Sequence, residues 1–440
     1  MNSYDSEKIM SLLAPHGFTS SDRPEDADLI VLNTCHIREK ASEKMYSELG
    51  RLAQIKKKRQ AGEIFIVVAG CVAQAEGAEI IKRAPCVDIV VGPQSYHKLP
   101  ILIERVKREN KWIIELNFGK NEKFDIIENL DVANSLTSAL ISIQEGCDKF
   151  CSFCVVPYTR GKEYSRPPEA IYKEALKLCK SGVKEVTLLG QNVSAYRAKG
   201  FDNIDWRLGR LIKEIAQIDN LKRIRYITSH PNDMDDEELF EAHAEEAKLM
   251  PYIHLPIQSG SNKILRLMNR KYTAEMYVDI LQKFRKYRQD IAFSSDFIVG
   301  YPGETDEDFQ DTMTLVRSLD YAQTYSFKYS SRPGTPAAAL PNQVEEDVKR
   351  ARLTALQELL KEKQLSFNES KVGQKLPILI EKPGKKSGQI IGKSPYMQVV
   401  VVDIQDLETR KDLIGQIKII DILSASQNSL YGTLYNGDDK

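Results

Sequence analysis

Three cysteines within eight residues are the strongest constraint in this sequence. Cys147, Cys151 and Cys154 follow one predicted strand in the pattern Cys-x3-Cys-x2-Cys. Three soft thiolates on one short loop can ligate three irons of a [4Fe-4S] cubane, which leaves the fourth iron open to another ligand. Structural zinc is the alternative, but it prefers four ligands in paired Cys-x-x-Cys units, and no fourth Cys or His lies nearby in sequence. The spacing therefore predicts an iron-sulfur loop with one open iron.

The rest of the composition is typical of a globular protein with several domains. The 440 residues allow about three domains at roughly 150 residues each. The 62 Lys and Arg balance the 62 Asp and Glu, so any affinity for nucleic acid must be local. No apolar run approaches the ~18 residues of a membrane span, and no secretory signal opens the sequence. We expect a cytoplasmic protein with no membrane contact, in which the cysteines are thiolates rather than disulfides.

Short β-rich runs alternate with helical periodicity in residues 1–100. We predict strands at 29–33, 64–69 and 88–91, which indicates an open and mostly parallel α/β sheet. Two of these strands run into Cys35 and Cys71. Parallel sheets collect functional groups at the carboxyl ends of their strands, so both thiols should share one rim. The chain opens with a helix-like stretch where a βα unit should begin with a strand, and we therefore expect a strand upstream of Met1.

A series of βα units occupies residues 135–368, after a polar stretch, 101–134, that predicts a linker region. The predicted strands are 139–143, 185–189, 223–228, 252–255, 292–299 and 325–328. Six such units suggest a partial (β/α)6 barrel with its chemistry at the carboxyl ends of the strands. A long amphipathic helix at 344–367 ends this region. Residues 369–435 alternate short β runs with Gly and Pro turns, which predicts a small antiparallel β-barrel.

Further motifs occur in order along the chain. They are NTCHIREKA (33–41), AGCVAQ (69–74), CVVPYTRG (154–161), SRP (165–167), LGQNV (189–193), TSHP (228–231), HLPIQSGS (254–261) and SDFIVGYPGET (295–305). Together with the cysteine loop they resemble the radical S-adenosylmethionine (SAM) methylthiotransferases, and the likeness spans all three regions. The resemblance implies an N-terminal α/β domain that carries a second [4Fe-4S] cluster, a radical SAM barrel, and a C-terminal TRAM domain that binds tRNA.

The resemblance implies S-adenosylmethionine and two [4Fe-4S] clusters as cofactors. The open iron of the loop cluster would bind S-adenosylmethionine, with Phe153 near its adenine. Cys35 and Cys71 match two of the three ligands of the auxiliary cluster. The third, in a Cys-Gln-Met-Asn motif of relatives, has no counterpart here, which coincides with the missing first strand. We therefore expect the natural chain to start upstream of Met1 with that strand and that cysteine.

The resemblance also predicts residues that bind S-adenosylmethionine at the barrel mouth. Gln191, Ser229 and Gln258 are candidates for polar contacts, and Gly190 and Gly300 would permit close approach of the backbone. The alternative for the two glycines is that they only turn the chain.

Lysines in the predicted C-terminal barrel are candidates for RNA binding. Lys382, Lys385, Lys386 and Lys393 cluster in a turn region, and Tyr396 follows them. Basic side chains contact phosphate and an aromatic ring can stack on a base. A solvated lysine turn is the alternative interpretation.

The remaining cysteines and two histidines are predicted to have structural roles. Cys86 precedes an apolar strand and Cys179 lies on an amphipathic helix, where free cysteine behaves as a small hydrophobe. His230 and His254 each stand near a proline at a strand end, which favours positioning or satisfied hydrogen bonds over metal ligation.

The reaction implied by the resemblance replaces the hydrogen on carbon 2 of a prenylated adenosine, beside the tRNA anticodon, with a methylthio group. One S-adenosylmethionine would supply the methyl group and a second the 5′-deoxyadenosyl radical. The alternatives are a threonylcarbamoyl-adenosine or a ribosomal-protein aspartate as substrate, and the motif CVVPYTRG with the intact barrel motifs favours the prenylated base. A non-catalytic Fe-S protein that binds RNA or relays electrons is the alternative of another class.

Partners are implied in the same way. We expect the tRNA anticodon loop as substrate, a small reducing protein such as flavodoxin or ferredoxin as electron donor, and a monomer.

Overall fold

A computed structural model of the chain describes residues 1–36, 39–59, 64–118, 122–128, 137–404 and 412–435. Residues 37–38 of the motif around Cys35, and part of the predicted linker, lie outside these ranges. The chain divides into two compact units. The first comprises Met1–Ala133, Gln144–Arg166 and Arg332–Thr335, and the second comprises Asn134–Ile143, Pro167–Ser331 and Pro336–Lys440.

The first unit contains the predicted parallel sheet. Its four described strands pair in sequence order, all parallel: β1 Leu29–Asn33, β2 Phe65–Ala69, β3 Ile89–Val91 and β4 Ile113–Glu115. The helices of this region are α1 Asn2–Leu13, α2 Glu39–Lys58, α3 Cys71–Glu76, α4 Ala78–Arg83 and α5 Leu99–Glu109. Side chains alternate between the two faces of β2, because successive residues of a strand point to opposite sides. Val67 packs with α1 and α5, and Ile66 packs with α2 on the other face.

Four shorter elements complete the first unit. They are α6 Glu122–Glu128, β6 Gln144–Glu145, α7 Val156–Arg160 and β7 Tyr164–Ser165. β6 and β7 pair antiparallel. Residues 146–163 therefore form a loop whose two ends are joined by this strand pair.

Residues 138–328 of the second unit carry the predicted six parallel strands. They are β5 Ser138–Ser142, β8 Glu185–Leu189, β11 Arg223–Ile227, β12 Tyr252–His254, β13 Ala292–Val299 and β14 Tyr321–Lys328. They form two three-stranded sheets, with β8 between β5 and β11, and β13 between β12 and β14. A bridge between Ile224 and Leu249 links the two sheets next to β12. The predicted partial (β/α)6 barrel is confirmed.

Helices separate the barrel strands, as a parallel sheet requires. They are α8 Pro168–Lys180, α9 Leu208–Ala216, α10 Glu237–Glu245, α11 Asn262–Leu267, α12 Ala274–Tyr287 and α13 Asp306–Ser318. A small ribbon, β9 Ala198–Lys199 with β10 Asp205–Trp206, interrupts the segment before α9. Thr305 begins α13 with a capping box, in which its side chain and that of Asp308 each accept from the other's backbone N–H. The long helix α14 Glu346–Glu369 follows the barrel.

The C-terminal region is a closed barrel of five described strands. They are β15 Lys375–Pro383, β16 Gln389–Lys393, β17 Val399–Asp403, β18 Ile417–Ala425 and β19 Ser429–Leu434. Inward residues such as Ile378, Val400 and Ile420 form its core. The prediction of an antiparallel barrel needs one correction, because β17 and β19 pair parallel and thereby close it. Residues 405–411, between β17 and β18, lie outside the described residues.

The predicted linker at 101–134 also differs from the structure. Most of α5 and all of β4 fall within it, and β4 is the fourth strand of the N-terminal sheet. A strand of only three residues carries too little alternation to be recognised from sequence. Residues 119–121 and 129–134 of this stretch lie outside the described ranges.

Two buried arginines at the start of β11 attach the small barrel to the large one. Arg223 donates hydrogen bonds to the carbonyl oxygens of Pro377 (2.5 Å) and Lys393 (2.8 Å). Arg225 donates to those of Ser394 and Pro395, both at 2.8 Å, and its Nε lies 3.0 Å from Glu185. Burial lowers the pKa of Arg223 to about 10. Carbonyl oxygens of the small barrel thus replace water around both cations.

Arg225→Met is expected to destabilise the second unit by about 3 kcal/mol, because it removes the closer of the two cations at the buried Glu185 carboxylate and leaves two buried carbonyls without their donor. The measurement is the midpoint of the first urea transition. Arg210→Met is the control, since it breaks a partly exposed pair with Asp202 and a contact with the face of the Trp206 ring, which together should cost about 1 kcal/mol. Equal midpoints for the two variants would contradict this account of the attachment.

Within the described ranges, the helices all fall short of the length and apolar character needed to span a bilayer.

Candidate iron-sulfur and nucleotide site

The loop of three cysteines is held closed at its base by the β6–β7 pair. The Cys147 N–H donates to the Gly161 carbonyl at 3.3 Å, and the Cys154 N–H donates to the Cys151 carbonyl at 2.9 Å. Gly146 has a φ of 77°, and a Cβ there would lie 2.0 Å from the Lys162 carbonyl oxygen. Only glycine satisfies both conditions. The local geometry of the loop therefore depends on its own backbone contacts.

The environment of the thiols suits a metal-bound thiolate. Cys151 is buried, whereas Cys147 and Cys154 are half-buried. Burial raises the pKa of the Cys147 thiol to about 11, so a cation is needed to displace its proton near neutral pH. The Val156 N–H points at Cys154 Sγ at 3.5 Å, which is a contact that favours a thiolate. Phe153 is half-buried in the same loop.

This donor set fits three corners of a [4Fe-4S] cluster. A cluster takes one thiolate per iron, so its ligands surround a cubane and do not converge on a single ion. Within the described ranges, no three His, Cys, Asp or Glu side chains group closely enough to hold a single metal ion.

Cys35 and Cys71 share one edge of the N-terminal sheet, as predicted. Strands β1 and β2 pair up to Asn33 and Ala69, and each cysteine stands two residues further along. The Thr34 N–H donates to the Ala69 carbonyl (3.0 Å), and the Val72 N–H donates to the Thr34 carbonyl (3.2 Å). These bonds extend the pairing past the strand ends. They place the two cysteines at the same edge of the sheet.

The first unit contains a buried charge network that the sequence does not predict. Arg160 donates from Nε to Cys71 Sγ (3.4 Å), from Nη2 to Asp5 (2.5 Å) and from Nη1 to Glu145 (3.1 Å). Glu145 also accepts from Lys123 at 2.5 Å. Burial alone would raise the pKa of Glu145, but the positive charges of Lys123 and Arg160 hold it below its usual value. Burial alone would lower the pKa of Arg160, but the charges of Asp5, Cys71 and Glu145 hold it well above its usual value.

No sequence pattern indicates that these residues contact one another. Asp5 and Arg160 are 155 positions apart, and each occurs in a stretch that reads as an ordinary helix or loop. The only signal was the presence of Arg160 within the motif CVVPYTRG.

The predicted S-adenosylmethionine contacts in the second unit lie at the carboxyl ends of neighbouring barrel strands. Gly190 and Gln191 directly follow β8, Ser229 follows β11, and Gln258 follows β12. Gln258 has a φ of 80° and is joined to β13 through backbone bonds to Asp296 and Ile298. Within the described ranges, the buried Ser229 hydroxyl has no hydrogen-bond partner. An unsatisfied hydroxyl at this rim suits a polar ligand such as the ribose or carboxylate of S-adenosylmethionine.

Gly300 has a structural explanation that needs no cofactor. Its φ is 68°, and a Cβ there would lie 2.3 Å from Lys349 Cγ on α14. Its N–H donates to Glu304, which is buried and accepts from Arg352 at 2.8 Å. Burial raises the pKa of Glu304. The Gly300 turn therefore joins the barrel to α14.

The two histidines are hydrogen-bonded, as predicted. The His230 Nδ1 accepts from the Asn232 N–H at 3.3 Å. The His254 Nδ1 lies 2.7 Å from the Ser294 hydroxyl, and its Nε2 lies 3.7 Å from Asp296. Cys86 and Cys179 lie in packed surroundings, and burial raises the pKa of each thiol.

The four candidate RNA-binding lysines do not share one environment. Lys382, Lys385 and Lys386 are exposed at the turn between β15 and β16. Lys393 is half-buried and forms an ion pair with Glu381 at 3.2 Å. Tyr396 differs from the prediction, because its hydroxyl donates to Asp290 and its ring packs edge-on against Phe367. It joins the small barrel to the large one and is not presented for base stacking.

Comparisons with known proteins agree with this arrangement. Residues 141–316 match the radical SAM superfamily, 1–92 match the uncharacterized protein family UPF0004, and 369–435 match the TRAM domain. In solved structures, the chain resembles a radical S-adenosylmethionine methyltransferase, TsrM from Kitasatospora setae. The TM-score is 0.57 with 14% identity over 76% of this chain and 74% of that one. This likeness concerns the fold alone. Fold and cysteine loop together define a radical SAM enzyme, a class that uses a [4Fe-4S] cluster and S-adenosylmethionine.

Comparison with sequence relatives identifies a family within the radical SAM enzymes. The chain is 55% identical to a tRNA-2-methylthio-N(6)-dimethylallyladenosine synthase of Rickettsia canadensis (strain McKiel), over 99% of this chain and 97% of the relative. It is also 55% identical to the synthase of the same name from Ehrlichia ruminantium (strain Welgevonden), over 99% and 96%. The chain belongs to the tRNA-2-methylthio-N(6)-dimethylallyladenosine synthase family.

Proposed function

We propose that the chain is a tRNA methylthiotransferase that converts N6-dimethylallyladenosine beside the anticodon to its 2-methylthio derivative. The observation that carries the proposal is the loop of Cys147, Cys151 and Cys154 in a chain whose relatives carry this synthase name at 55% identity. The C–H bond at carbon 2 is too unreactive for acid-base catalysis, so a radical is required.

The cysteine loop and the polar residues at the barrel mouth have different roles in this reaction. The three loop thiolates hold the radical cluster, which, when bound, supplies the electron that cleaves S-adenosylmethionine to a 5′-deoxyadenosyl radical. Gln191, Ser229 and Gln258 offer polar groups for S-adenosylmethionine, a role supported by the unsatisfied Ser229 hydroxyl. Backbone bonds within the loop orient the three cysteines. The target base has to leave the anticodon stack, which costs less in a loop than in a duplex.

Nucleoside analysis tests the proposal. A deletion strain of the host should lack 2-methylthio-N6-dimethylallyladenosine and accumulate N6-dimethylallyladenosine, and expression of this chain should restore the product. Restoration of a methylthio group on threonylcarbamoyl-adenosine, or on a ribosomal-protein aspartate, would replace the proposed substrate with one of those alternatives. Unchanged nucleosides and ribosomal proteins would favour a non-catalytic Fe-S protein.

We further propose that Cys35 and Cys71 provide two ligands of an auxiliary [4Fe-4S] cluster. Their shared edge of the sheet and the Arg160 contact with Cys71 support this role. Anaerobic reconstitution of a Cys147→Ala, Cys151→Ala, Cys154→Ala variant should leave fewer than four irons per chain on the auxiliary site, because Cys35 and Cys71 are only two of the three thiolates that such a cluster uses. About four irons are expected for the same variant extended by the upstream codons of its gene if those codons supply the third cysteine. Absence of iron from both preparations would refute the auxiliary cluster.

The C-terminal barrel is proposed to bind the tRNA through Lys382, Lys385 and Lys386, with Lys393 near its ion-pair partner as a weaker contributor. We expect Lys385→Ala with Lys386→Ala to weaken tRNA binding and to lower the slope of log K against log salt by about 2, one for each lost phosphate contact. Lys57→Ala with Lys58→Ala, at an exposed helix end, is the control and should leave the slope unchanged. Equal slopes for both pairs would contradict the assignment.

The remaining features of the proposal rest on the family resemblance. The chain is proposed to act in the cytoplasm as a monomer, reduced by a small protein such as flavodoxin or ferredoxin. A barrel domain at 135–368 and a TRAM domain at 369–435 are proposed on the same basis, and the N-terminal domain extends past the predicted 1–100 to include β4.

A further inference from the structure

A buried serine joins two neighbouring loops at the mouth of the large barrel. Ser194 follows β8 and is only 2% exposed, and its hydroxyl accepts a hydrogen bond from the His230 N–H at 2.9 Å. A second bond joins the same two loops, because the Val193 N–H donates to the Thr228 carbonyl at 2.9 Å. The loop after β11 is therefore held to the loop after β8 on both sides of Ser229.

Thr228 has an unfavourable backbone conformation. Its φ is 73°, in the left-handed region. In the described part of the chain, seven residues other than glycine have a positive φ, and Thr228 is the β-branched one among them. A β-branched side chain is an outlier in this region because its Cβ crowds the backbone, whereas Gly and Asn adopt the region routinely. Contacts elsewhere must therefore hold Thr228 in place.

The bond from His230 to Ser194 opposes relaxation of this strained residue. If Thr228 turned to a negative φ, the chain after it would change direction, and the His230 N–H would leave the Ser194 hydroxyl. The hydroxyl itself is fixed from the other side, because it donates to Asn192 Oδ1 at 2.9 Å, and Asn192 in turn donates to Asp233 at 2.7 Å. Strain of this kind persists where the surroundings over-determine it, and it is typical of binding sites.

The residue positioned by this strain is Ser229. It is 5% exposed, and among the residues that the structure describes its hydroxyl has no hydrogen-bond partner. Its N–H donates to the His254 carbonyl of the next loop at 3.4 Å. A buried hydroxyl without a partner is costly, so a polar ligand at this strand end would satisfy it.

We propose that Ser194 is a positioning residue for the binding of S-adenosylmethionine. Its hydroxyl holds Thr228 in the left-handed region, and this conformation keeps the Ser229 hydroxyl where it contacts the polar groups of the nucleotide. The inference rests on the S-adenosylmethionine contact of Ser229 in the proposed function. It also requires that Ser194 is needed only because residue 228 is a threonine, so a residue that accepts a positive φ at 228 should make Ser194 dispensable.

The test uses the full chain with its iron-sulfur cluster reconstituted, without reductant, so that S-adenosylmethionine is bound but not cleaved. Ser194→Ala removes the hydroxyl, and Ser194→Ala with Thr228→Asn removes the hydroxyl and the strain together. Ser394→Ala is the matched control in the C-terminal barrel. Ser394 is also buried, accepts from the Gln398 N–H at 3.2 Å and donates to Gln398 Oε1 at 3.0 Å.

Equilibrium dialysis with radiolabelled S-adenosylmethionine gives the dissociation constant of each variant, and the urea midpoint gives its stability. We expect Ser194→Ala to raise the dissociation constant about tenfold, because the loop then occupies the binding conformation only about a tenth of the time. Adding Thr228→Asn should return the constant to within about threefold of the parent value. Ser394→Ala should lower the urea midpoint as Ser194→Ala does, but it should keep the parent dissociation constant.

Amide hydrogen exchange gives a readout that needs no ligand. In Ser194→Ala the Thr228 carbonyl moves away from its donor, so the Val193 N–H should exchange about tenfold faster than in the parent. Thr228→Asn should restore its protection. Mass spectrometry of the peptide that contains Val193 measures the rate.

An unchanged dissociation constant in Ser194→Ala would overturn this inference, and so would a loss that Thr228→Asn does not recover. Both results leave the proposed function standing, provided that the parent binds S-adenosylmethionine. A reconstituted parent that does not bind S-adenosylmethionine would overturn the proposed function and this inference together.

Discussion

Cys151→Ala is expected to abolish the formation of 5′-deoxyadenosine when the protein is reduced in the presence of S-adenosylmethionine. The thiol is buried between the other two cysteines of the loop, and its backbone carbonyl accepts from the Cys154 N–H. Removing one of three thiolates leaves the cluster with too few protein ligands to persist, so the iron content should fall by about four per chain. Iron analysis and chromatography of the reaction products are the measurements.

Cys179→Ala provides the matched control for this variant. Cys179 is equally buried, on α8, and lies in the apolar surroundings of a packing residue. We expect unchanged iron and product, with a loss of stability of about 1 kcal/mol from the small cavity. Undiminished 5′-deoxyadenosine from Cys151→Ala would contradict the assignment of the loop, as would equal losses from both variants.

Gly146→Ala is expected to prevent assembly of the loop cluster even though every cysteine remains. A methyl group at this position would collide with the Lys162 backbone, where the chain from β6 meets the chain that enters β7. The collision adds to a left-handed backbone that costs a residue with a Cβ about 1–2 kcal/mol. We expect the loop to open and the iron bound through Cys147, Cys151 and Cys154 to be lost. Iron content of a Cys35→Ala, Cys71→Ala background measures this loss.

Gly373→Ala is the control that separates the steric collision from the backbone cost of a positive φ. Gly373 has nearly the same φ, 80°, but a Cβ there would have no neighbour within 4 Å. This variant should therefore show only the backbone cost, with full iron. If Gly146→Ala also keeps full iron, the closure of the loop by the β6–β7 pair does not hold the thiolates in place.

The predicted elements are those whose residues carry a local pattern. β8 and β13 agree with the predicted 185–189 and 292–299 because apolar and β-branched residues make up most of their sequences, EVTLL and AFSSDFIV. Cys35 and Cys71 could be placed on one edge because parallel strands impose a common direction. Ser429–Leu434 was not predicted as a strand, since Gly432 and a polar flank hide its alternation.

The charge network could not be predicted because its members meet only through tertiary contacts. Arg160 and Cys71 are separated by 89 positions, and Glu145 and Lys123 by 22. The interpretation of Tyr396 differs from the structure for the same reason, because its partner is distant in sequence. Its position after a lysine-rich turn indicated stacking on RNA, whereas the fold brings it against Asp290, 106 positions away.

Spectroscopy of the loop cluster tests the central claim most directly. The protein with Cys35→Ala and Cys71→Ala is reconstituted without oxygen and reduced, and its electron paramagnetic resonance spectrum is recorded before and after addition of S-adenosylmethionine. An iron without a protein ligand should bind the amino and carboxylate groups of the nucleotide, so we predict a clear change in the spectrum. An identical spectrum at saturating S-adenosylmethionine would contradict a cluster held by Cys147, Cys151 and Cys154 with one iron open.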